Sequence, residues 1–150
     1  MKIAFKRDPK PLAMAARGIR LWTFGKYYHV ELLFQDGMMF SAIGKSGTRW
    51  MPLVDKKEWD FLTVPVTPGD EERIRAFCHS QEDKGYDFIG LFLSFLPIPI
   101  GWQSCRKWFC SELCTAGLQL AGYLSGYTPS RISPNKLYRI LRKELRERRD

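Results

Sequence analysis

The sequence predicts an α+β domain in which an antiparallel β-sheet packs against a helix carrying a cysteine. Asp36-Gly37, set between the strand-like runs Val30 to Phe34 and Met38 to Ala42, is the pair that a tight antiparallel hairpin demands. Thr67-Pro68 and Ser133-Pro134 each join a capping side chain to a proline suited to the first helical position, so each marks a helix start. Trp108-Phe109-Cys110-Ser111-Glu112-Leu113 then runs into helical spacing through Leu113, Gly117 and Leu120, with Cys110 and Cys114 on the same side. Cys110 therefore falls in the first turn of a buried helix.

In chain order, Lys2 to Lys6 reads as a short strand, Asp8 to Pro11 as a turn and Leu12 to Trp22 as a helix. Gly25-Lys26 leads into the strand holding His29, and the hairpin returns through Met38 to Ala42. Gly44 to Gly47 is a loop, followed by strands over Arg49 to Val54 and Trp59 to Val66. The helix begun by Pro68 should run to about Lys84, where Gly85 can end it, and bury Ile74, Phe77, Cys78 and Gln81. Tyr86-Asp87 opens a further helix through Phe95, and a hydrophobic loop precedes the Cys110 helix. The last helix is apolar at Leu137, Tyr138, Leu141 and Leu145 and basic beyond Arg139. No repeat or linker divides the chain, so residues 1–150 form a single domain.

Composition narrows the function classes. A chain that is 45% hydrophobic and 14% aromatic over 150 residues has material for one core and does not read as disordered. Its net charge of +8 favours an anionic partner such as nucleic acid, anionic lipid or wall polymer, without choosing among them. The four cysteines (78, 105, 110 and 114) lack zinc-ligand spacing and a nearby histidine pair, so reduced thiols are expected and neither a metal nor a cofactor. The start of the chain has too short an apolar run for a secretory signal, which makes the protein cytoplasmic as synthesised, with virion association or release on lysis as ways out. The apolar run Phe88 to Trp102 is broken by Pro97 and Pro99 and falls short of the roughly 20 residues that span a bilayer.

Cys110 and His29 carry the chemistry. Unpaired N–H groups and the dipole at a helix start favour a thiolate, the form that attacks carbonyls. His29 is one of two histidines, it begins a strand, and it shares a strand face with Glu31. A carboxylate so placed can hold an imidazole in the right tautomer, as the third member of a triad does. The other histidine, His79, follows Cys78 directly, and adjacent helical residues diverge, so those two form no dyad. Tyr28, Trp108 and Trp102 flank the pair as substrate-binding candidates, and the loop 97–104 is the candidate wall of a cleft. A buried, inert Cys110 in a basic, non-catalytic binding module of a phage particle is the competing reading.

The stretches YYHVELLFQDGMMFSA, WDFLTVPV, GYDFIGLF, WFCSEL and RISPNKLYRIL together resemble the circularly permuted papain-fold cysteine hydrolases. That group includes NlpC-like cell-wall hydrolases, YiiX-like proteins and relatives of lecithin:retinol acyltransferase, and the similarity is closest to small phage or prophage members. Its histidine strand precedes its cysteine helix, the order found here. The resemblance implies a permuted papain-like (NlpC-like) fold, Cys110 as nucleophile and His29 as base and then acid. It implies a peptidase or amidase acting on peptidoglycan peptides, or an acyltransferase or hydrolase acting on lipid esters or amides. The third polar residue of the group falls at Ser41, where relatives more often carry a stronger acceptor. Either Ser41 orients His29 alone, or Glu31 has taken that role, or the enzyme is slow or inactive. The basic last helix is a further candidate contact for an anionic polymer or membrane surface, and no specific nucleic acid is expected.

Overall fold

Strand-forming residues with short turns between them build a sheet whose middle strands are apolar on the helix-facing side. In a computed structural model, which describes residues 1–7, 25–43, 47–83, 85–86 and 107–150, five antiparallel strands pair in the order β4-β3-β2-β1-β5. They are β1 (Lys2–Arg7), β2 (Tyr27–Leu33), β3 (Met38–Ile43), β4 (Gly47–Pro52) and β5 (Trp59–Thr63). β1 lies between β2 and β5, so Ile3, Ala4 and Phe5 are all covered. A separate parallel pair joins β6 (Gly85–Tyr86) to β7 (Lys107–Trp108). The helices are α1 (Pro68–Ser80), α2 (Cys110–Gln119) and α3 (Pro134–Glu147).

The predicted hairpin forms as the turn chemistry requires. Gly37 takes a φ of 83°, Asp36 Oδ1 accepts from Met38 N at 3.0 Å, and Phe34 N donates to Met38 O at 2.9 Å. Alternation then splits the sheet. Ile3, Phe5, Val30, Leu32, Phe40 and Ala42 face the helices and join Ile74, Leu113, Leu118, Leu137 and Leu141 in the main core. Ala4, Leu33, Met39 and Trp59 form a smaller cluster on the other face.

Where α2 crosses the sheet, a glycine sets the distance. A Cβ on Gly117 would stand 3.1 Å from Leu32 Cδ1 and 3.5 Å from Ile74 Cγ2, so the bare backbone lets α2 lie close to β2 and α1 together. Leu113, Cys114 and Leu118 are wholly buried in that seam, and the first turn of the helix is buried too. The position of Cys110 follows from this seating.

Several boundaries differ from expectation. Thr67 caps α1 in a capping box with Asp70, but the helix stops at Ser80 because residues 81–83 turn away to bond with β4. There the Thr48 hydroxyl donates to the Gln81 carbonyl, and Asp83, at a φ of 60°, donates its N–H to Thr48 O at 3.0 Å. β4 ends at Pro52 and β5 at Thr63, two and three residues early, and a 3₁₀ turn (Lys56–Glu58) joins them. Tyr86 belongs to β6 rather than opening a helix, and Leu120, at the end of α2, is exposed. Residues 8–24, 44–46, 84 and 87–106 lie outside the described residues, and with them the helix expected over Leu12 to Trp22, the one through Phe95, and the loop 97–104. Among the described residues no helix is long and apolar enough to cross a membrane, and no group of His, Cys, Asp and Glu could hold a metal ion.

If the close seating of α2 limits packing, Gly117→Val should cost about 1–3 kcal/mol in urea unfolding. Adding Leu32→Ala should recover part of that loss, and strictly additive costs in the double variant would show that the two side chains do not compete for the same space.

Candidate active site

β2 presents His29, Glu31 and Leu33 on one face, and β3 presents Met39 and Ser41 beside them. His29 Nε2 lies 2.8 Å from Glu31 Oε1 and 3.1 Å from Ser41 Oγ, and the Ser41 hydroxyl donates to Glu31 Oε1 at 2.6 Å. The two residues weighed as alternative partners for the imidazole thus meet at the same carboxylate oxygen. Glu31 accepts the ring N–H, and Ser41 donates to Glu31 while its own oxygen faces the ring.

The same ring also senses Cys110. Cys110 is the first of the influences that raise the His29 imidazole, ahead of Glu31, and Nε2 of the ring is engaged by Glu31 and Ser41. The β2–β3 ladder pairs Leu32↔Phe40 and Leu33↔Met39, and one step toward His29 the Ser41 and Glu31 side chains bond across the two strands at 2.6 Å. Cys110 is 2% exposed, whereas the His29 side chain is 13% exposed.

The electrostatics follow from burial and partners. Burial pushes the imidazole down, but the Cys110 thiolate and the Glu31 carboxylate outweigh it and raise His29 from 6.5 to about 10. Burial pushes the Glu31 carboxyl up, while the bonds from His29 and Ser41 and the charge of Lys6 hold it below its ordinary value. Burial drives the Cys114 thiol far up, with Cys110, Glu31 and Cys78 adding to the effect, and it raises Cys78 as well. Those two thiols are inert packing.

The first helical bond of α2 is Leu113 N to Phe109 O at 3.1 Å, so the helix itself supplies no acceptor to the N–H groups of Cys110 and Ser111. Phe109, at the N-cap, supplies no side-chain acceptor, unlike Thr67 and Ser133 at the other two helices.

Of the substrate-binding candidates, Tyr28 is half-buried and its ring stacks near His29 at 6.5 Å. Trp108 is in β7, two residues before Cys110, and Trp102 lies outside the described residues. Trp59 was not anticipated: its ring stands 6.3 Å from His29 on the side away from the helices, with Lys6 Nζ 5.2 Å above it. His79 is exposed, 3.4 Å from Glu82 and apart from the buried Cys78 beside it.

Residues around the pair anchor its two elements. Tyr27 OH donates to Asp60 Oδ2 at 2.6 Å, and Asp60 also meets Lys26 at 2.7 Å and Arg7 at 3.3 Å. Asn135 Oδ1 accepts from Tyr27 N at 3.0 Å, and its Nδ2 donates to Tyr27 O at 2.8 Å. Ser111 Oγ donates to Ile132 O at 2.6 Å. Asp60, Ser111 and Asn135 were missed as contributors, since each bonds to a partner distant in sequence.

In nitrogen-detected NMR the His29 ring should titrate near about 10, and Glu31→Gln should bring it down, because the carboxylate that offsets burial is gone. The folded value exceeds the ordinary 6.5, so the pair's stabilising contribution is complete below about pH 6.5 and is lost as pH rises through about 10. An unchanged titration in Glu31→Gln would remove Glu31 from the site. No family model, no curated protein and no solved structure matches the chain.

Proposed function

We propose that this protein is a cysteine hydrolase with a permuted papain-like arrangement, in which Cys110 is the nucleophile and His29 the general base and acid. The observation that carries the reading is that Cys110, in the first turn of α2, acts on an imidazole whose Nε2 is held by Glu31. The sulfur attacks an amide carbonyl, a C–S bond forms, and the carbonyl electrons move to oxygen. The N–H of Cys110 meets that oxyanion. As the tetrahedral intermediate collapses, the C–N bond breaks and imidazolium delivers its proton to the departing amine. Water then adds to the acyl-enzyme with His29 taking its proton, and the thiolate leaves. Glu31 stays ionised throughout, orienting the ring and stabilising its positive charge.

For the substrate, the resemblance to cell-wall hydrolases favours an amide bond in bacterial peptidoglycan peptides, an argument by analogy. A second reading keeps the chemistry and moves it to a lipid ester or amide, and α3 favours it. Arg139, Arg142, Lys143 and Arg146 recur at helical spacing on its exposed side, opposite the buried Leu137, Leu141 and Leu145, and exposed Arg149 follows just past its end. Among the described residues, only Lys143 of these five has a carboxylate partner, Glu147 at 3.6 Å. Such a stripe would adsorb the enzyme on an anionic polymer or membrane surface without inserting apolar groups.

Peptide release from purified peptidoglycan is expected, and Cys110→Ala should lower it by about a thousandfold or more. Acyl release from lipid vesicles without peptide release would favour the lipid reading. A folded Cys110→Ala variant with full activity on either substrate would remove the nucleophile assignment. Adsorption to vesicles rich in anionic phospholipid should fall steeply with added salt and with Arg139, Arg142 and Arg146 all changed to Gln, whereas salt-independent adsorption would dissociate it from the stripe.

A further inference from the structure

We propose that the turn Ile132 to Asn135 is the device that positions the Cys110–His29 pair, with Asn135 as the positioning residue on the histidine side. The inference rests on the hydrolase reading given above.

The two reacting side chains come from separate elements that the sheet alone locates poorly. Toward His29 the β2–β3 ladder has ended, and on the other edge the β1–β2 register shifts between Lys6 and Arg7, so Lys6 pairs with His29 but Arg7 with Tyr27. Beyond that shift the backbone of β2 is held by Asn135. Its amide accepts from Tyr27 N at 3.0 Å and donates to Tyr27 O at 2.8 Å, the pair of bonds a neighbouring strand would supply. Asn135 is buried, and Gly25 leaves the room it occupies: a Cβ there would stand 2.1 Å from Asn135 Cγ.

The same turn holds the cysteine side. Ser111, next to Cys110 and wholly buried, donates to Ile132 O at 2.6 Å, and Thr115 Oγ1 donates to Ser111 O at 2.7 Å one turn on. Between Ile132 and Asn135 the chain has little freedom, since Ser133 caps α3 by accepting from Lys136 N at 3.3 Å and Pro134 fixes its own φ. The histidine therefore stands two residues from one clamp and the cysteine one residue from the other. Both clamps grip the same four-residue piece of chain.

The test follows alkylation of Cys110 by iodoacetamide from pH 5 to 10, read by mass spectrometry of the folded protein, in wild type, Asn135→Ala, Gly25→Ala and the double variant. Wild type should react selectively at Cys110 at pH 6, and each single variant should react there about tenfold or more slowly, because small displacements of paired reacting groups cost that much. The double variant should be no slower than Asn135→Ala, since the methyl added at residue 25 has lost the side chain it would displace. Ser111→Ala should alter the same profile, and it keeps the question open to measurement if Asn135→Ala does not fold. Folded variants that alkylate as wild type does, or single losses that add, would overturn the positioning role. A His29→Ala variant with an unchanged profile would instead overturn the hydrolase reading on which the proposal stands.

Discussion

The site depends on one buried charge balance. An imidazolium taken out of water loses hydration, and the Glu31 carboxylate 2.8 Å from Nε2 replaces it. That carboxylate is itself 2% exposed and would pay heavily for its own charge without the Ser41 hydroxyl at 2.6 Å. Each group makes the next one tolerable, so the chain of contacts Ser41, Glu31, His29, Cys110 functions as a unit. Removing any one leaves another buried and unmatched, which is costlier than the loss of a single hydrogen bond.

The fold serves that unit through the close seating of α2 on the sheet. A side chain at Gly117 would press on Leu32 and Ile74 and shift the helix outward, carrying Cys110 with it. Close seating brings the buried first turn of α2, and Cys110 with it, against the sheet. The clusters on the two faces fit this picture: aliphatic side chains fill the space under α2, while Trp59 and Tyr28 border the ring.

Much of this was legible where the determining contacts are local. Asp36-Gly37, Thr67-Pro68 and Ser133-Pro134 act on their immediate neighbours, and the hairpin and helix starts they imply are present. Glu31 was legible because a strand returns to the same face at every second residue. The end of α1 was not, since it depends on Thr48 and the turn it bonds, more than thirty residues away in sequence. Asn135 was illegible for the same reason: its partner Tyr27 is 108 residues distant, and nothing local to a helix start says that its second residue will act as a strand neighbour. Sequence spacing reveals which residues could share an element, whereas the relative placement of two elements is written in long-range pairs that carry no local signature.

The serine at residue 41 illustrates how that blindness distorts a reading. Considered alone, a hydroxyl is a weak acceptor for an imidazole, and the position looks impaired. Beside Glu31 the requirement reverses. Glu31 already accepts the ring N–H, so a second carboxylate at residue 41 would place two like charges on one buried ring and push one of them toward protonation. What the site needs at residue 41 is a donor small enough to reach Glu31 Oε1 while presenting a lone pair to Nε2, and the Ser41 hydroxyl stands 2.6 Å from the one and 3.1 Å from the other. Glu31 and Ser41 are therefore two halves of one solution, in which the acceptor moves to the histidine's own strand and the neighbouring strand supplies the donor that keeps it charged.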